Sequence, residues 1–256
     1  MMKQTDFLGG FAKGLKVIEA FGAASPRRSI ADIAAATGLD RATARRCLLT
    51  LVELGYARYD GKHFELTPRV LRLGHAYLSA TPLPRLIQPH LDVLSEEVGQ
   101  SASASVLEDT EIVYIARAAQ KRVMSINLTP GSRLPAWCAS MGRVLLAALP
   151  ESEAHAILER SDISALTART QTDRKALLDE LARVREQGYA LVDQELELGL
   201  CSIAVPLVDA RGRVVAALNI GASAAQVAAS DMPALYLPAL RRVQALGPVQ
   251  SWSPAA

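Results

Sequence analysis

Apolar residues near the start of the chain recur at the spacing of an amphipathic helix. Residues 10–21 place Phe11, Leu15 and Ile18 on one face, and Gly22 follows. Three apolar positions at this spacing predict a helix that packs with that face inward. The glycine predicts where the helix ends.

Capping residues predict two further helices. Ser29 and Asp32 have the spacing of a capping box, and Gly38 closes the apolar stripe that follows them. Asp40 is expected to cap the next helix, and Gly55 is expected to end it. The residues on the apolar face of this third helix are Leu48, Leu51 and Val52.

A β-hairpin is predicted directly after the third helix. Two runs of β-forming residues, YARY at 56–59 and HFEL at 63–66, flank Asp60 and Gly61, a pair typical of tight turns. The order helix, helix, turn, helix, hairpin is that of a winged helix-turn-helix. In such a domain the third helix enters the major groove of DNA.

Charge is distributed unevenly along the chain and favours DNA as a partner of the first part. Residues 1–80 contain 12 Lys and Arg against 7 Asp and Glu, whereas residues 81–256 contain 16 against 19. A basic first third points to a polyanion. The alternative is an ordinary solvated basic surface. The predicted DNA contacts on the third helix are Arg41, Thr43, Arg45 and Arg46, and those on the hairpin are Arg58, Lys62 and His63.

The remainder of the chain predicts a second, α+β domain. A helical pattern begins at Pro68, and Pro82 and Pro84 mark the boundary that follows it. This divides the chain into a DNA-binding domain at 1–67, a linker helix at 68–82 and an effector domain at 83–256. Strand pairs are predicted within 101–119 and 202–222, with a further strand at 123–128, between helices at 86–99, 140–149, 173–188 and 235–246. Helices beside a largely antiparallel sheet are typical of ligand-binding sensory domains.

Composition narrows the class of protein. Half of the residues are hydrophobic, no apolar run approaches ~18 residues, and the charged N-terminus is unlike a signal peptide. Three cysteines and four histidines are scattered, which predicts neither a disulfide framework nor a metal site. The sequence therefore predicts a cytoplasmic protein without cofactor, metal or membrane partner.

Two other functions compete with regulation. An enzyme with a DNA-binding head is disfavoured because the sequence contains no GxSxG, P-loop, HExxH or GxGxxG motif. An architectural DNA-binding protein would not need the long second domain.

Three long motifs resemble the IclR family of bacterial transcriptional regulators: SIADIAAATGLDRATARRCLLTLVELGY, LPAWCASMGRVLLAALP and EQGYALVDQELELGLCSIAVPLVDARGRVVAALNI. More narrowly, RATARRCLLTLVELGY, LTPRVLRLGHAYLS and GSRLPAWCASMGRVLLAALP resemble the branch that controls protocatechuate, 4-hydroxybenzoate and β-ketoadipate catabolism. The resemblance implies a winged helix-turn-helix, a dimerising linker helix and a GAF-like effector domain. It also implies a homodimer, or a dimer of dimers, on a palindromic double-stranded operator.

The same resemblance implies where a small organic acid effector binds. Carried over residue by residue, the pocket is Ser140, Met141, Asp193, Ser202 and Asn219. A helix that begins near Ser140 would offer backbone N–H groups to a carboxylate. Two neighbouring residues complete the predicted site, Arg143 as a second anion ligand and Trp137 as a stacking surface for a ring.

Each of these residues also has a structural interpretation. Arg143 could pair with Glu151 or Glu153, Met141 and Trp137 could be core residues, and Asp193 could cap a turn. The chain departs from the branch at Cys201, where a long side chain such as arginine is expected, and at Trp137. A redox role for Cys138 and Cys201 has no support in their sequence surroundings.

Overall fold

The structure, a computed structural model, describes residues 7–22, 25–80, 82–120 and 128–247. The chain divides into two compact units, residues 1–80 and residues 81–256. Most of the strand expected at 123–128 and the tail with Trp252 lie outside the described residues. No helix in the described part of the chain is long and apolar enough to cross a membrane.

The first unit is a winged helix-turn-helix, as the sequence predicts. A short 3₁₀ turn at Pro68–Val70 precedes its last helix. Its helices are α1 (Gly9–Glu19), α2 (Ile30–Thr37), α3 (Arg41–Glu53) and α4 (Leu71–Ala80). Its strands are β1 (Arg27–Arg28), β2 (Ala57–Tyr59) and β3 (Phe64–Leu66), which form an antiparallel sheet in the order β1-β3-β2.

The predicted helix boundaries are confirmed by their capping bonds. The Ser29 hydroxyl accepts from the Asp32 backbone N–H at 3.3 Å, and the Asp32 carboxylate accepts from the Ser29 N–H at 2.8 Å. Gly38 ends α2 in the left-handed conformation with φ 68°. The Asp40 carboxylate caps α3 by accepting from the Thr43 N–H at 2.8 Å. These bonds satisfy N–H groups that a helix start leaves without intrahelical partners.

The prediction for the buried face of α1 is wrong in part. Val17 is fully buried, whereas Phe11 and Leu15 are 69% and 38% exposed and Ile18 is half-buried. The helix is rotated so that Val17 packs into the small core of this unit. That core consists of Val17, Ile33, Ala44, Leu48, Leu51, Ala57 and Phe64.

The second unit is built on a six-stranded antiparallel sheet in the order β6-β5-β4-β9-β8-β7. Its strands are β4 (Ser101–Glu108), β5 (Glu111–Ala118), β6 (Arg133–Pro135), β7 (Ala190–Asp193), β8 (Leu200–Val208) and β9 (Val214–Ser223). Its helices are α5 (Leu83–Val98), α6 (Ser140–Ala147), α7 (Glu151–Arg160), α8 (Arg174–Gln187) and α9 (Met232–Ala245). The predicted pairs β4–β5 and β8–β9 are confirmed, whereas β6, β7 and α7 have no counterpart in the prediction.

Alternating side chains give the sheet two different faces. Ala102, Ala104 and Ile203 pack in an apolar core with α5 and α9. Ser101 and Ser103 point to the opposite face, since successive strand residues alternate. A second apolar core, formed mainly by α6, α7 and α8, covers part of that face.

α6 approaches the preceding chain very closely at Gly142. A Cβ atom at this position would lie 2.1 Å from the Ala136 carbonyl oxygen and 2.4 Å from its Cα. Both are backbone atoms, so no side-chain rotation can relieve the contact. Glycine is therefore required for α6 to dock here.

We expect Gly142→Ala to destabilise the second unit by about 1–3 kcal/mol, the range for overpacking a core. Gly74→Ala is the matched control, because Gly74 lies in α4 with open space around it. It should be neutral or stabilising by up to about 1 kcal/mol. Denaturant unfolding followed by Trp137 emission, in a Trp252→Phe background, measures the first change. Equal stability of Gly142→Ala and the parent protein would contradict the close approach.

Candidate functional site

A cavity of about 30 Å³ lies in the second unit between the sheet and the start of α6. This is room for about two water molecules. Its lining combines a polar floor with apolar walls. The lining residues are Ser101, Tyr114, Arg117, Leu128, Leu134, Cys138, Ala139, Ser140, Met141, Val192, Leu196, Leu200, Ser202, Asn219 and Gly221.

Two neighbouring rows of residues across the sheet form the polar floor. In one row Ser101 pairs with Gly221, which pairs in turn with Ser202. In the next row Ser103 lies between Arg117 and Asn219. Small side chains in these rows leave space under α6. The cavity is thus a consequence of which residues occupy alternate strand positions.

A β-bulge in β5 directs Arg117 to this face. Ala104 pairs with Ala116, but the next residue of β4, Ser105, pairs with Tyr114. Ile115 is the extra residue, so Tyr114 and Arg117 share a face although they are three positions apart. Bulges re-aim side chains in this manner and concentrate near functional sites. Strict alternation would place Tyr114 and Arg117 on opposite faces, and sequence analysis missed both.

Arg117 brings a positive charge to the cavity. Its Nη1 donates to the Ser103 hydroxyl at 2.9 Å, and none of the ion pairs formed by the described residues includes it. Burial lowers the pKa of Arg117 below its usual value, but an arginine stays protonated at neutral pH. Burial also raises the pKa of Tyr114 to about 12, so its phenol is neutral. A partly desolvated cation of this kind favours an anionic ligand.

Two polar groups of the lining lack partners within the described structure. They are the buried Ser140 hydroxyl and the Oδ1 oxygen of the Asn219 side chain. Ser140 begins α6, and no side chain caps that helix end. The first N–H groups of a helix lack intrahelical acceptors and carry the positive end of its dipole. Arg117, the α6 start and Asn219 together can bind a carboxylate and a hydroxyl group.

Four of the seven predicted effector residues line the cavity: Ser140, Met141, Ser202 and Asn219. Trp137 does not, because its side chain is buried in the core with α6. Asp193 does not line it either. The Asp193 carboxylate pairs with Arg169 and accepts from the Cys201 thiol at 3.1 Å.

Arg143 also lies outside the lining and has a different partner from those considered in the sequence. It forms a two-point ion pair with Glu195 at 2.7 and 2.8 Å. Pairing with Glu151 or Glu153 is therefore wrong. The partner is 52 positions away in the chain, which explains why local sequence gave no indication of it.

The two buried thiols are poor nucleophiles. Burial raises the pKa of Cys138 to about 12, and burial together with the bond to Asp193 raises the pKa of Cys201 to about 12. At neutral pH both are protonated, and the thiolate is the reactive form. Among the described residues no cluster of His, Cys, Asp and Glu has the arrangement of a metal site.

The candidate nucleic-acid interface in the first unit begins with α3. Arg41, Arg45 and Arg46 are exposed on its first turns. Thr43, also predicted to contact DNA, is buried, and its hydroxyl donates to the Asp40 carboxylate at 2.7 Å. Its side chain supports the start of the helix instead of extending from its surface.

Two arginines of the three-stranded sheet, Arg58 of β2 and Arg27 of β1, form ion pairs. Arg58 lies opposite Glu65 and donates to its carboxylate at 2.9 Å, which raises the pKa of Arg58. Arg27, which the sequence analysis missed, pairs with Asp60 at the turn. Asp60 also accepts from the backbone N–H groups of His63 and Lys62, and these bonds lower its pKa to about 2. The Lys62 side chain is exposed.

Comparison with known proteins places both units in one family. Residues 11–61 match the IclR helix-turn-helix domain, and residues 75–245 match the bacterial transcriptional regulator IclR C-terminal domain. The Pca regulon regulatory protein of Pseudomonas putida is 47% identical over 92% of this chain and 81% of its own. The p-hydroxybenzoate hydroxylase transcriptional activator of Acinetobacter baylyi is 37% identical over 94% of this chain and 90% of its own.

Among solved structures, an IclR homologue from Microbacterium hydrocarbonoxydans complexed with 4-hydroxybenzoate has a TM-score of 0.74 and 26% identity. The match covers 93% of this chain and 98% of the homologue. The two family domains follow one another in the expected order and match residues 11–61 and 75–245 of the chain. The chain therefore belongs to the IclR family of bacterial transcriptional regulators.

Proposed function

We propose that this regulator binds a small aromatic carboxylic acid in the cavity of the second unit and controls operator binding or transcription in the cytoplasm. The observation that carries the proposal is Arg117, a cation without an acidic partner among the described residues. It shares the lining with the Ser140 hydroxyl and the Asn219 side-chain oxygen, which have no hydrogen-bond partner in the described structure. The apolar walls suit an aromatic ring. The hydroxybenzoate complex of the Microbacterium homologue supports the same ligand class.

The size of the cavity bears on how such a ligand acts. At about 30 Å³ it is far smaller than the 300–1,000 Å³ typical of ligand pockets. An aromatic acid therefore requires its walls to move apart. A ligand can shift a protein between two states only when it binds one better than the other. We propose that effector binding favours a conformation of the second unit in which this cavity is wider.

The ligand is tested by calorimetry on the full chain with 4-hydroxybenzoate, protocatechuate and β-ketoadipate. We expect 4-hydroxybenzoate or protocatechuate to bind with a Kd between about 1 μM and 1 mM, roughly −8 to −4 kcal/mol. Arg117→Met should weaken binding at least about tenfold, because a charge-assisted bond is lost. Arg211→Met, an exposed arginine of the β8–β9 turn, is the control. The proposal is wrong if neither aromatic acid binds.

We propose that α3 reads the operator through Arg41 and Arg45, with Arg46, Arg58 and Lys62 on the phosphate backbone. The exposed arginines at the start of α3 carry this proposal, since that part of a recognition helix meets the bases. Thr43 contributes by holding the helix start. An architectural DNA-binding protein would bind all sequences with similar affinity and would not respond to an acid.

Arg41→Ala or Arg45→Ala should cost roughly 1–3 kcal/mol of operator affinity if the side chain contacts a base. A phosphate contact would instead weaken binding to all sequences and reduce the salt slope by about one. Gel-shift titrations with DNA from upstream of the regulator's own gene measure both effects. Arg183→Ala on α8 serves as the control, and unchanged affinity in both α3 variants would remove α3 from the interface.

We also propose that two copies associate through apolar residues of the first unit and bind a palindromic operator. Exposed apolar side chains of α1 and α4 support this, since surfaces of this kind mark interaction sites. They are Phe11 and Leu15 on α1, and Leu71, Leu73 and Tyr77 on α4. An apolar groove of about 580 Å³ runs between α1 and α3, with Leu73 in its lining.

Leu73→Asp should shift the full chain towards monomer in sedimentation experiments. It should also weaken operator binding at least about tenfold, because a dimer gains from holding two half-sites together. Leu235→Asp, at an exposed leucine of the second unit, is the matched control. A monomeric wild-type protein with full operator affinity would disprove this association.

A further inference from the structure

Arg143 and Glu195 form a buried ion pair in which every polar atom is used. Arg143 Nη1 and Nη2 donate to Glu195 Oε1 and Oε2, and Arg143 Nε donates to the Trp137 carbonyl oxygen at 2.9 Å. Glu195 Oε2 also accepts from the Gln171 backbone N–H at 2.9 Å. The two side chains are only 4% and 11% exposed. Arg143 therefore has its three nitrogens committed within the protein.

The pair joins two segments that line the cavity. Arg143 lies one turn into α6, whose first residues Ser140 and Met141 are part of the lining. Glu195 directly precedes Leu196, which is also part of the lining. Both charges also change the pKa of Cys138, another residue of the lining. Burial raises the pKa of Cys138, Arg143 lowers it and Glu195 raises it.

Stability alone does not explain an ion pair at this place. Desolvation of two buried charges offsets most of their attraction, and an apolar pair of similar volume is often as stable. Loss of one partner has a different consequence, because it leaves an uncompensated charge. Glu195 without Arg143 would add a negative charge beside a cavity whose charged ligand-binding group is Arg117.

We propose that Arg143 is a positioning residue for effector binding that acts by neutralising Glu195. With Glu195 neutralised, the Arg117 guanidinium remains the charge that an anionic ligand meets. This inference rests on the proposed function, but it gives Arg143 a role through Glu195 and not through direct contact with the effector. It predicts that the two members of the pair are not equivalent.

Calorimetry with 4-hydroxybenzoate on Arg143→Gln, Glu195→Gln and the double variant tests this asymmetry. Arg143→Gln should weaken binding roughly tenfold or more, since a like charge then faces the ligand. Glu195→Gln should bind within about threefold of wild type, or more tightly. The double variant should recover to the affinity of Glu195→Gln, a coupling that a double-mutant cycle measures directly.

The contrary outcomes are distinct. If Arg143→Gln binds within twofold of wild type, or if the double variant is no better than Arg143→Gln, the inference is overturned. A tenfold loss in Glu195→Gln overturns it as well, and this variant gives the test if Arg143→Gln does not fold. Thermal unfolding of each variant separates an effect on stability from an effect on affinity. Lys175→Gln, which breaks an exposed ion pair, is the control.

If wild-type protein binds none of the three acids, the proposed function itself is rejected. If wild-type protein binds normally but the variants have the wrong order of affinities, only this inference is rejected.

Discussion

The docking of α6 on the small-residue face of the sheet is the constraint on which the second unit depends. Gly142 allows α6 to approach the Ala136 backbone. The opposing surface of the sheet has small residues, which are Ser101, Ser103 and Gly221. Larger residues in these rows would fill the space that now forms the cavity. The same contact positions the uncapped helix start above a polar floor.

The elements that the sequence predicted well are those whose signals are local. Ser29, Asp32 and Asp40 form capping bonds with residues three positions away, and Gly38 has the positive φ expected of the glycine that ends α2. The pairing of β8 with β9 follows from the alternating pattern of residues on either side of the turn that joins them. None of these features depends on a distant part of the chain, so short windows of sequence contain the necessary information.

The features that the sequence missed depend on residues far apart in the chain. The bulge that turns Arg117 towards the cavity is a property of the β4–β5 register, and simple alternation gives the opposite orientation. Glu195 and Arg143 are 52 positions apart in the chain, with α7 and α8 between them. For α1, the apolar spacing predicted a helix, but spacing alone does not show whether an apolar side chain such as Phe11 is buried or exposed. Predicting these outcomes requires the three-dimensional arrangement of the sheet and helices.

The two arginines near the cavity show how the same residue type serves different purposes when its surroundings differ. Arg143 is neutralised by a carboxylate that fits its guanidinium at two points, so the pair carries no net charge. Arg117 is held by a neutral hydroxyl, which fixes its direction without cancelling its charge. The first arrangement supports the structure of the lining, and the second leaves a charge available to a ligand.

The β2–β3 hairpin of the first unit contains an ion pair like that of Arg143, but in an exposed position. There Arg58 is paired with Glu65. In the proposed DNA interface, a phosphate would compete with that carboxylate for the Arg58 guanidinium, and because exposed ion pairs are weak, this competition would cost little.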